Sequence, residues 1–343
     1  MTRALITTVP FGEADPASLE LLDEAGIEYV INPIGRRLTE AELVSLVPGF
    51  DAMVAGTEPI TGRVLEAGAQ LRLISRVGVG LDNVDLLTAR ARRIAVAYTP
   101  EGPADAVAEL TIGLALSLLR GVHVANSAIR RGVWKRIQGR RLARVTVGIV
   151  GVGRIGLRVI RLLSAFGARI LANDLTQVPI DEPVRWVDKR TLFQESDVVS
   201  LHVPLTRLTR NLVGADELAS MRPGALLINT CRGGVVDEAA LATALRHGRL
   251  GGAAVDTFAD EPYHGELVNV ETCLITPHMG SMSADCRVRM ECGASRNVVA
   301  FLRGGPVDEL VPESEYAMRA SERESVETGA LPSSRTGPVR ERS

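Results

Sequence analysis

The sequence lacks an excess of charge of either sign. Its 39 lysines and arginines nearly balance its 41 aspartates and glutamates, so the 343 residues carry a formal net charge of −2. Nucleic acids and anionic membranes attract proteins through strongly basic surfaces. The near-neutral balance therefore predicts that neither a nucleic acid nor a membrane is the main partner.

Long apolar runs are also missing. The N-terminal MTRALITTVP has no extended apolar core of the kind that secretion signals carry. The longest apolar segment, 110–119, is far shorter than the about 20 residues of a membrane-spanning helix. That segment is typical of a buried helix, and the protein is expected to be cytoplasmic.

Cysteines are few and are not arranged as metal ligands. The four are Cys231, Cys273, Cys286 and Cys292. A chain long enough for two domains with hydrophobic cores needs no disulfides to fold. We therefore expect reduced thiols and no bound metal.

What the sequence does contain is an alternation of short apolar runs with stretches of helical periodicity, which is typical of β-α units and parallel sheets. The predicted strands are 4–8, 29–32, 52–55, 73–77 and 94–97, then 145–150, 169–173, 198–202, 226–229, 253–256 and 274–276. One long helix, 104–131, is predicted to connect the two groups, and a last helix covers about 284–303. Beyond residue 310 the sequence is polar and predicts a disordered tail, 311–343.

The second group of strands opens with a glycine-rich motif. Segment 145–176 carries G-x-G-x-x-G at Gly151, Gly153 and Gly156, between an apolar strand and a helix. Gly151 would permit a tight turn, Gly153 would let a pyrophosphate approach the backbone, and Gly156 would let the helix pack on the strand. In this context the motif predicts a dinucleotide site.

The residues around the motif indicate which dinucleotide binds. The amides of Arg154 and Ile155 lie at the start of the predicted helix, where an anion is favoured. Asp174 ends the next strand, where it would accept hydrogen bonds from ribose hydroxyls and repel a 2′-phosphate. The sequence therefore predicts NAD rather than NADP.

Polar side chains follow three later strands of the same group. The segments are NTCRGGVVDE (229–238), AAVDTFADEPYHGE (253–266) and TPHMGSMS (276–283). They carry Arg232, Glu261 and His278. Ligands of open α/β sheets bind at the carboxyl ends of the strands, so we expect these three side chains to converge near the nicotinamide.

Such a set suits hydride transfer at the carbon next to a carboxylate. Oxidation of a secondary alcohol needs a base, and histidine titrates near neutral pH. A carboxylate would orient the imidazole and stabilise its cation, and an arginine would bind the substrate carboxylate. Taken singly, Arg232 also fits a surface ion pair and Glu261 a surface turn, but the three together downstream of the glycine motif favour catalysis.

Seven segments together resemble a known family. They are RVGVGLDNVD (76–85), AVAELTIGLALSLLR (106–120), VGIVGVGRIG (147–156), LHVPLTRLTRNLVG (201–214), NTCRGGVVDE, AAVDTFADEP and TPHMGS. In this order they resemble the D-isomer-specific 2-hydroxyacid dehydrogenases, over about 4–310. The resemblance implies an α/β fold of two Rossmann-like or flavodoxin-like domains with parallel sheets and an active site in the cleft between them. It places a substrate domain at 1–99 plus 285–310 and an NAD-binding Rossmann domain at 100–284, and it implies a homodimer.

The resemblance also implies roles for individual residues. Arg232 would bind the substrate carboxylate, His278 would be the acid–base and Glu261 its partner. Further cofactor contacts would come from Val203, Thr230, Cys231, Asp256 and Gly280, with Asp256 meeting the nicotinamide carboxamide. The substrate would be bound by Arg76, Val77, Gly78 and Arg136, the loop 76–80 offering backbone amides to its carboxylate.

Within the family, SRVGVGLDNVD and NTCRGGVVDEAAL are most similar to D-3-phosphoglycerate dehydrogenases, the entry enzymes of serine biosynthesis, here in a short form without a C-terminal regulatory domain. The leading hypothesis for the substrate is therefore 3-phospho-D-glycerate, with Arg76 and Arg136 binding its phosphate. The basic run 130–144 fits a solvated surface equally well, so Arg136 is left with both interpretations.

Two departures favour a different acid. Gly56 and Thr57 stand where the phosphoglycerate enzymes often carry an arginine, and Pro103 stands where an asparagine commonly lines the site. The alternative substrates are glyoxylate, hydroxypyruvate, a D-lactate-like acid or a phosphonate analogue. A hypothesis of another class is an NAD-sensing protein, similar to corepressors of this family, and only the polar tail favours it.

Overall fold

The apolar runs form two parallel β-sheets in the computed structural model, which describes residues 2–327. The strands are β1 (Arg3–Ile6), β2 (Glu28–Ile31), β3 (Ala52–Ala55), β4 (Leu73–Arg76), β5 (Ala95–Ala97), β6 (Thr146–Val150), β7 (Arg169–Asn173), β8 (Val184–Trp186), β9 (Val198–Leu201), β10 (Leu226–Asn229), β11 (Gly252–Val255) and β12 (Cys273–Ile275). The first sheet has the order β2-β1-β3-β4-β5 and the second β12-β11-β10-β9-β6-β7-β8. The predicted fold class, α/β with two parallel sheets, is confirmed.

Helices follow most of the strands. They are α1 (Ala17–Glu24), α2 (Glu40–Leu46), α3 (Gly62–Ala67), α4 (Leu86–Ala91), α5 (Ala104–Arg120), α6 (Val122–Arg130), α7 (Arg154–Ala165), α8 (Lys189–Glu195), α9 (Ala215–Ser220), α10 (Glu238–Arg246), α11 (Ala284–Leu302) and α12 (Glu313–Glu327). The central strands β3, β4, β6, β9, β10 and β11 are buried along their whole length, as expected of sheets covered on both faces.

The predicted single connector helix, 104–131, is wrong. Gly121 adopts a left-handed conformation (φ +61°) that ends α5 and starts α6, and the two helices are bent by 63°. Glycine favours this helix end because it has no Cβ to clash. Within residues 2–327 no single helix is long and apolar enough to cross a bilayer. Only this bent pair, counted as one segment, has the necessary length and composition.

Helix α11 returns the chain from the second sheet to the first. It packs on α1, β3 and β4. A buried ion pair lies within α11, with Arg287 Nη2 2.6 Å from Glu291 Oε1. The same arginine donates to the carbonyl of Pro10, and the Glu291 carboxylate accepts from the amide of Gly12. The first sheet, built from the N-terminal part of the chain, is therefore covered by a helix from the C-terminal part.

The predicted disordered tail is wrong for its first part. Residues 309–311 run antiparallel beside β5, with the Val311 amide 2.9 Å from the carbonyl of Val96. The chain then forms α12, whose Tyr316 is buried against the first sheet's core with Val311. The sequence is polar because only one face of this helix is covered. Residues 328–343 of the predicted tail lie outside the described part.

Candidate active site

The glycine motif forms a tight turn at the end of β6. Gly151 has φ +92°, and a Cβ there would lie 2.5 Å from the carbonyl oxygen of His202. A Cβ on Gly156 would overlap the carbonyl oxygen of Gly151, whereas one on Gly153 would meet open space. The first and third glycines are therefore required for folding, and the middle one leaves the start of α7 open. This cradle fits a dinucleotide diphosphate.

Asp174 is tied into the same turn. Its carboxylate accepts the amide of Val152 at 2.6 Å and that of Leu175 at 2.6 Å, and the side chain is exposed at the end of β7. The Thr176 amide donates a longer bond to the same carboxylate at 3.4 Å. A carboxylate has about four acceptor positions, so one remains for a ribose hydroxyl. The position fits the predicted choice of NAD.

His278 and Glu261 form a hydrogen-bonded pair. Nδ1 of the imidazole lies 2.9 Å from Oε2 and 3.1 Å from Oε1 of the carboxylate. The Phe258 amide donates to the same carboxylate at 3.0 Å. Burial raises the pKa of Glu261, but the hydrogen bond and charge of His278, the Phe258 amide and the nearby Arg37 outweigh burial and leave it lowered. The ionised carboxylate therefore orients the imidazole and directs Nε2 away from Glu261.

The backbone at His278 is held in a strained conformation. Its φ of +51° lies in the left-handed region that residues with a Cβ rarely adopt, at a cost of about 1–3 kcal/mol. Buried Asp256 holds the turn, since its carboxylate accepts the Thr276 hydroxyl at 2.5 Å and the amides of Met279 and Gly280 at 2.9 Å each. The predicted cofactor residues Asp256 and Gly280 therefore also position the histidine.

Arg232 is paired before any substrate arrives. Its Nε donates to Asp82 Oδ1 at 2.8 Å and its Nη1 to the carbonyl of Cys231 at 2.7 Å. A Cβ on Gly80 would overlap Nη2, and one on Gly233 would overlap the backbone of Phe258. The glycines around Arg232 therefore make room for the guanidinium and for the neighbouring loop.

A cavity of about 130 Å³ lies beside the three predicted catalytic residues. Arg37, Arg76 and Asp82 come to it from the first-sheet side, and Arg232, Glu261 and His278 come from the second. Arg76 is buried, and burial together with the charge of Arg232 lowers its pKa to about 10. It therefore remains a cation at neutral pH.

Comparison with known proteins identifies the family of this chain. The profile of the D-isomer specific 2-hydroxyacid dehydrogenase NAD binding domain matches residues 112–280. A hydroxypyruvate reductase of Thermotoga maritima is 38% identical over 78% of this chain and 92% of its own length. The chain belongs to the D-isomer-specific 2-hydroxyacid dehydrogenases. It is an NAD-dependent oxidoreductase, as the family profile of its NAD-binding domain indicates.

Two further relatives extend the comparison. A D-3-phosphoglycerate dehydrogenase of Synechocystis is 34% identical over 90% of this chain, which spans only 58% of that relative's length. The solved structure of the TT0316 protein from Thermus thermophilus superposes with a TM-score of 0.84 at 37% identity, covering 91% of this chain and all of that one. The family and its two-domain fold, predicted from the seven segments, are confirmed.

Several predicted contacts of this dehydrogenase are already used inside the protein. The amide of Val77 donates to the carbonyl of Ala55 at 2.8 Å, and that of Gly78 donates to the Thr99 hydroxyl at 2.8 Å. These two amides therefore do not face a substrate carboxylate, contrary to expectation. In the described residues, Val79 and Gly80 are the members of the loop whose amides make no such bond.

Two other predicted site residues lie outside the cavities that His278 borders. The Thr230 hydroxyl is buried at 2.9 Å from the Thr111 hydroxyl, where it joins β10 to α5. Arg136 is exposed in the segment 131–141 and lines neither of the two cavities that His278 borders. In the single chain, Arg136 is therefore a solvated surface residue, which is one of its two predicted interpretations.

The wall of the cleft between the glycine turn and Arg232 includes the neutral side chains of His202, Val203 and Cys231. Burial lowers the pKa of His202 to about 3, so its imidazole is neutral at pH 7. Burial raises the pKa of Cys231 to about 11, and its thiol donates to Asn229 Oδ1 at 3.0 Å. All four cysteines are unpaired, as predicted.

Sequence reasoning missed Arg37 and the role of Asp82. Arg37 follows β2 in a loop, and it donates to the carbonyls of Thr57 and Glu261, thereby joining the two sides of the cleft. No motif marks it, and its partners lie far away in the chain. Asp82 stands within a quoted segment, but nothing local indicated Arg232 as its partner.

Proposed function

We propose that this dehydrogenase interconverts 3-phospho-D-glycerate and 3-phosphohydroxypyruvate. The supporting observation is a guanidinium at the cavity, Arg37, that is separate from the carboxylate-binding Arg232 and from the buried Arg76, which donates to Asn83 and to the carbonyl of Val77. Arg37 is anchored by bonds from Nε and Nη2 to the carbonyl of Thr57 and from Nη1 to that of Glu261. A guanidinium has five N–H donors, so two remain for an anion.

The Arg37 site compensates for a departure in the sequence. Gly56 and Thr57 stand where an arginine was expected in a phosphoglycerate enzyme. A Cβ on Gly56 would lie 2.8 Å from Thr8 Oγ1 and 2.9 Å from Glu58 Oε2, so buried polar packing requires glycine there. Arg37 comes from another loop, and its guanidinium donates to the carbonyl of Thr57, the residue after Gly56. A phosphate and a carboxylate at opposite ends of one acid would each have a cation.

The catalytic roles follow from the hydrogen bonds. Bound in the cradle, NAD would supply the hydride acceptor for the carbon that bears the hydroxyl, and NADH would supply the hydride for the reverse reaction. His278 Nε2 takes the hydroxyl proton during oxidation and gives it back during reduction. Glu261 holds Nδ1 and stabilises the imidazolium. Arg232 binds the carboxylate and polarises the adjacent oxygen, while Asp82 keeps its guanidinium in place.

An unphosphorylated acid is the second candidate. The similarity to a hydroxypyruvate reductase over 92% of that relative's length favours it. Only the predicted disordered tail favoured the NAD-sensing hypothesis. Residues 313–327 of that tail form helix α12, so this part no longer favours it.

The proposal includes a homodimer in the cytoplasm. Apolar side chains are exposed on and after α6, among them Ile129, Val133 and Trp134, the last 84% exposed. Contiguous exposed apolar groups commonly mark a protein interface. Sedimentation of the wild type and of Trp134→Ser tests this: we expect a dimer that dissociates more readily in the variant, and a monomeric wild type would contradict it.

The deciding experiment is NADH oxidation by the purified protein with 3-phosphohydroxypyruvate, hydroxypyruvate, glyoxylate and pyruvate in parallel. We expect kcat/KM to be at least about tenfold higher for the phosphorylated acid, the value of one charge-assisted contact. A preference for hydroxypyruvate or glyoxylate would establish the second candidate instead.

A further inference from the structure

Helix α12 is fixed firmly to the first-sheet side of the cleft. Arg90 Nη2 lies 2.6 Å from Glu313 Oε2, and its guanidinium carbon lies 3.6 Å from the centroid of the Tyr316 ring. The ring itself is 8% exposed and packs in the core beneath α4. A cation on an aromatic face and a buried ring together give the helix a defined position.

The far end of α12 reaches the second-sheet side. The backbone amide of Arg207 donates to Glu322 Oε1 at 2.8 Å. Arg207 belongs to the loop that leaves β9, and residues 202–205 of that loop line the cofactor cleft. The helix therefore crosses the cleft and is bound on both sides of it.

One face of α12 forms part of the cleft wall. Glu315, Met318 and Arg319 are spaced three and four residues apart, so they lie on the same side of the helix. They line one cavity together with Arg154 and Ile155 at the start of α7. The helix thus faces the place where the diphosphate of the dinucleotide is expected.

Arg319 has hydrogen-bonding capacity that the described part of the chain leaves unused. Among residues 2–327 its Nε is buried without an acceptor, and its guanidinium is paired with Glu322, whose Oε2 lies 3.5 Å from Nη1. A buried donor without a partner is costly, and an anion in the cleft would remove that cost. Glu315 is the acidic member of the same face, so Arg319 is the residue that attracts a phosphate.

We propose that α12 is part of the cofactor site: Arg319 donates to the phosphates of bound NAD(H), and Met318 packs against the dinucleotide. The helix then acts as the outer wall of the cleft and slows the release of the cofactor. This inference depends on NAD binding and not on the identity of the acid.

The test measures NADH binding by fluorescence titration without any acid. Arg319→Gln removes the cation, and Arg323→Gln makes the same change at an exposed position four residues further along. We expect the Kd for NADH to rise about tenfold in Arg319→Gln and to stay within about twofold in Arg323→Gln. Equal affinity of the wild type and Arg319→Gln would overturn the proposed contact.

A pair of truncations tests the helix as a whole. Removal of 313–343 should weaken NADH binding at least as much as Arg319→Gln, whereas removal of 328–343 alone should leave it unchanged. Tighter binding after the longer truncation would overturn the proposal, because α12 would then obstruct the cleft.

Hydrogen–deuterium exchange of the intact chain gives a readout that does not depend on the truncated protein folding. NADH should slow exchange of the α12 amides, and no change there would count against the proposal. If the wild type bound no NADH, the proposed dehydrogenase function would fail together with this inference. If NADH bound the wild type and Arg319→Gln equally, only the role of Arg319 would fail.

Discussion

Six consecutive residues build the cofactor cradle, whereas the acid cavity takes its polar side chains from six separate places in the chain. The cradle, 151–156, works through backbone amides and the absence of side chains. The cavity works through side chains such as Arg37, Asp82 and His278, each held by a partner distant in sequence. Substitutions in the cradle should therefore affect folding or cofactor affinity, and substitutions at the cavity should affect turnover or selectivity.

The largest effect is expected at His278. In His278→Ala, kcat should fall by about 10²–10⁴-fold because the acid–base group is lost. The Kd for NADH should stay close to the wild-type value, since the cradle is untouched. Steady-state kinetics and an NADH titration measure the two effects separately, with His264→Ala at an exposed position as the control. Loss of NADH binding along with turnover would contradict the assignment of NADH affinity to the cradle and of turnover to the acid cavity.

Two glycines of the cradle should separate folding from binding. Gly156→Ala should lower the free energy of unfolding by about 1–3 kcal/mol, because its Cβ overlaps the Gly151 carbonyl. Gly153→Ala should leave stability nearly unchanged, since its Cβ meets open space, yet raise the Kd for NADH about tenfold by blocking the phosphate. Denaturant unfolding and NADH titration of both variants check this, and equal losses of stability would contradict it.

Arg37 should govern selectivity without governing turnover. Arg37→Ala should reduce kcat/KM about tenfold for 3-phosphohydroxypyruvate and only about twofold for pyruvate, because only the phosphorylated acid has a second anion. Arg36→Ala is the matched control, since Arg36 pairs with Glu42 on the outer surface at 2.6 Å. Equal losses on both acids would show that Arg37 only joins the two sides of the cleft.

The smallest effect concerns stability against pH. Because folding lowers the pKa of Glu261 below its ordinary 4.5, its ionised form stabilises the folded protein above pH 4.5. That contribution to stability is lost as the pH falls from 4.5 through the lower pKa that Glu261 has in the folded protein. The Tm difference between wild type and Glu261→Gln should therefore narrow over this range. Burial raises the pKa of Glu238, so its ionised form destabilises the folded protein. Glu238→Gln should therefore have the higher Tm at neutral pH, by a difference that also shrinks as the pH falls.

The contrast between the contiguous cradle and the dispersed cavity also explains which site residues could be predicted from the sequence. The cradle and the pairing of His278 with Glu261 were predictable, because each follows a strand whose carboxyl end must face the cleft. Arg37 and Arg319 were not, since they reach the cleft only through the tertiary path of a loop and of a terminal helix. The edge strand β8 was missed because Arg185 interrupts its three residues, whereas the equally short β5 and β12 are continuous apolar runs. The break at Gly121 did have a signal, a glycine after Arg120.

The return of α11 to the first sheet has a consequence for synthesis on the ribosome. Strands β6 to β12 are contiguous in the chain, so their half can fold soon after its last strand emerges. The half that contains β1 to β5 waits for α11, about 200 residues later than β5. At about 5–20 residues per second, that wait lasts roughly 10–40 s. During this time the face that α11 will cover, including Ala52 and Leu73, is open to chaperones and to other nascent chains.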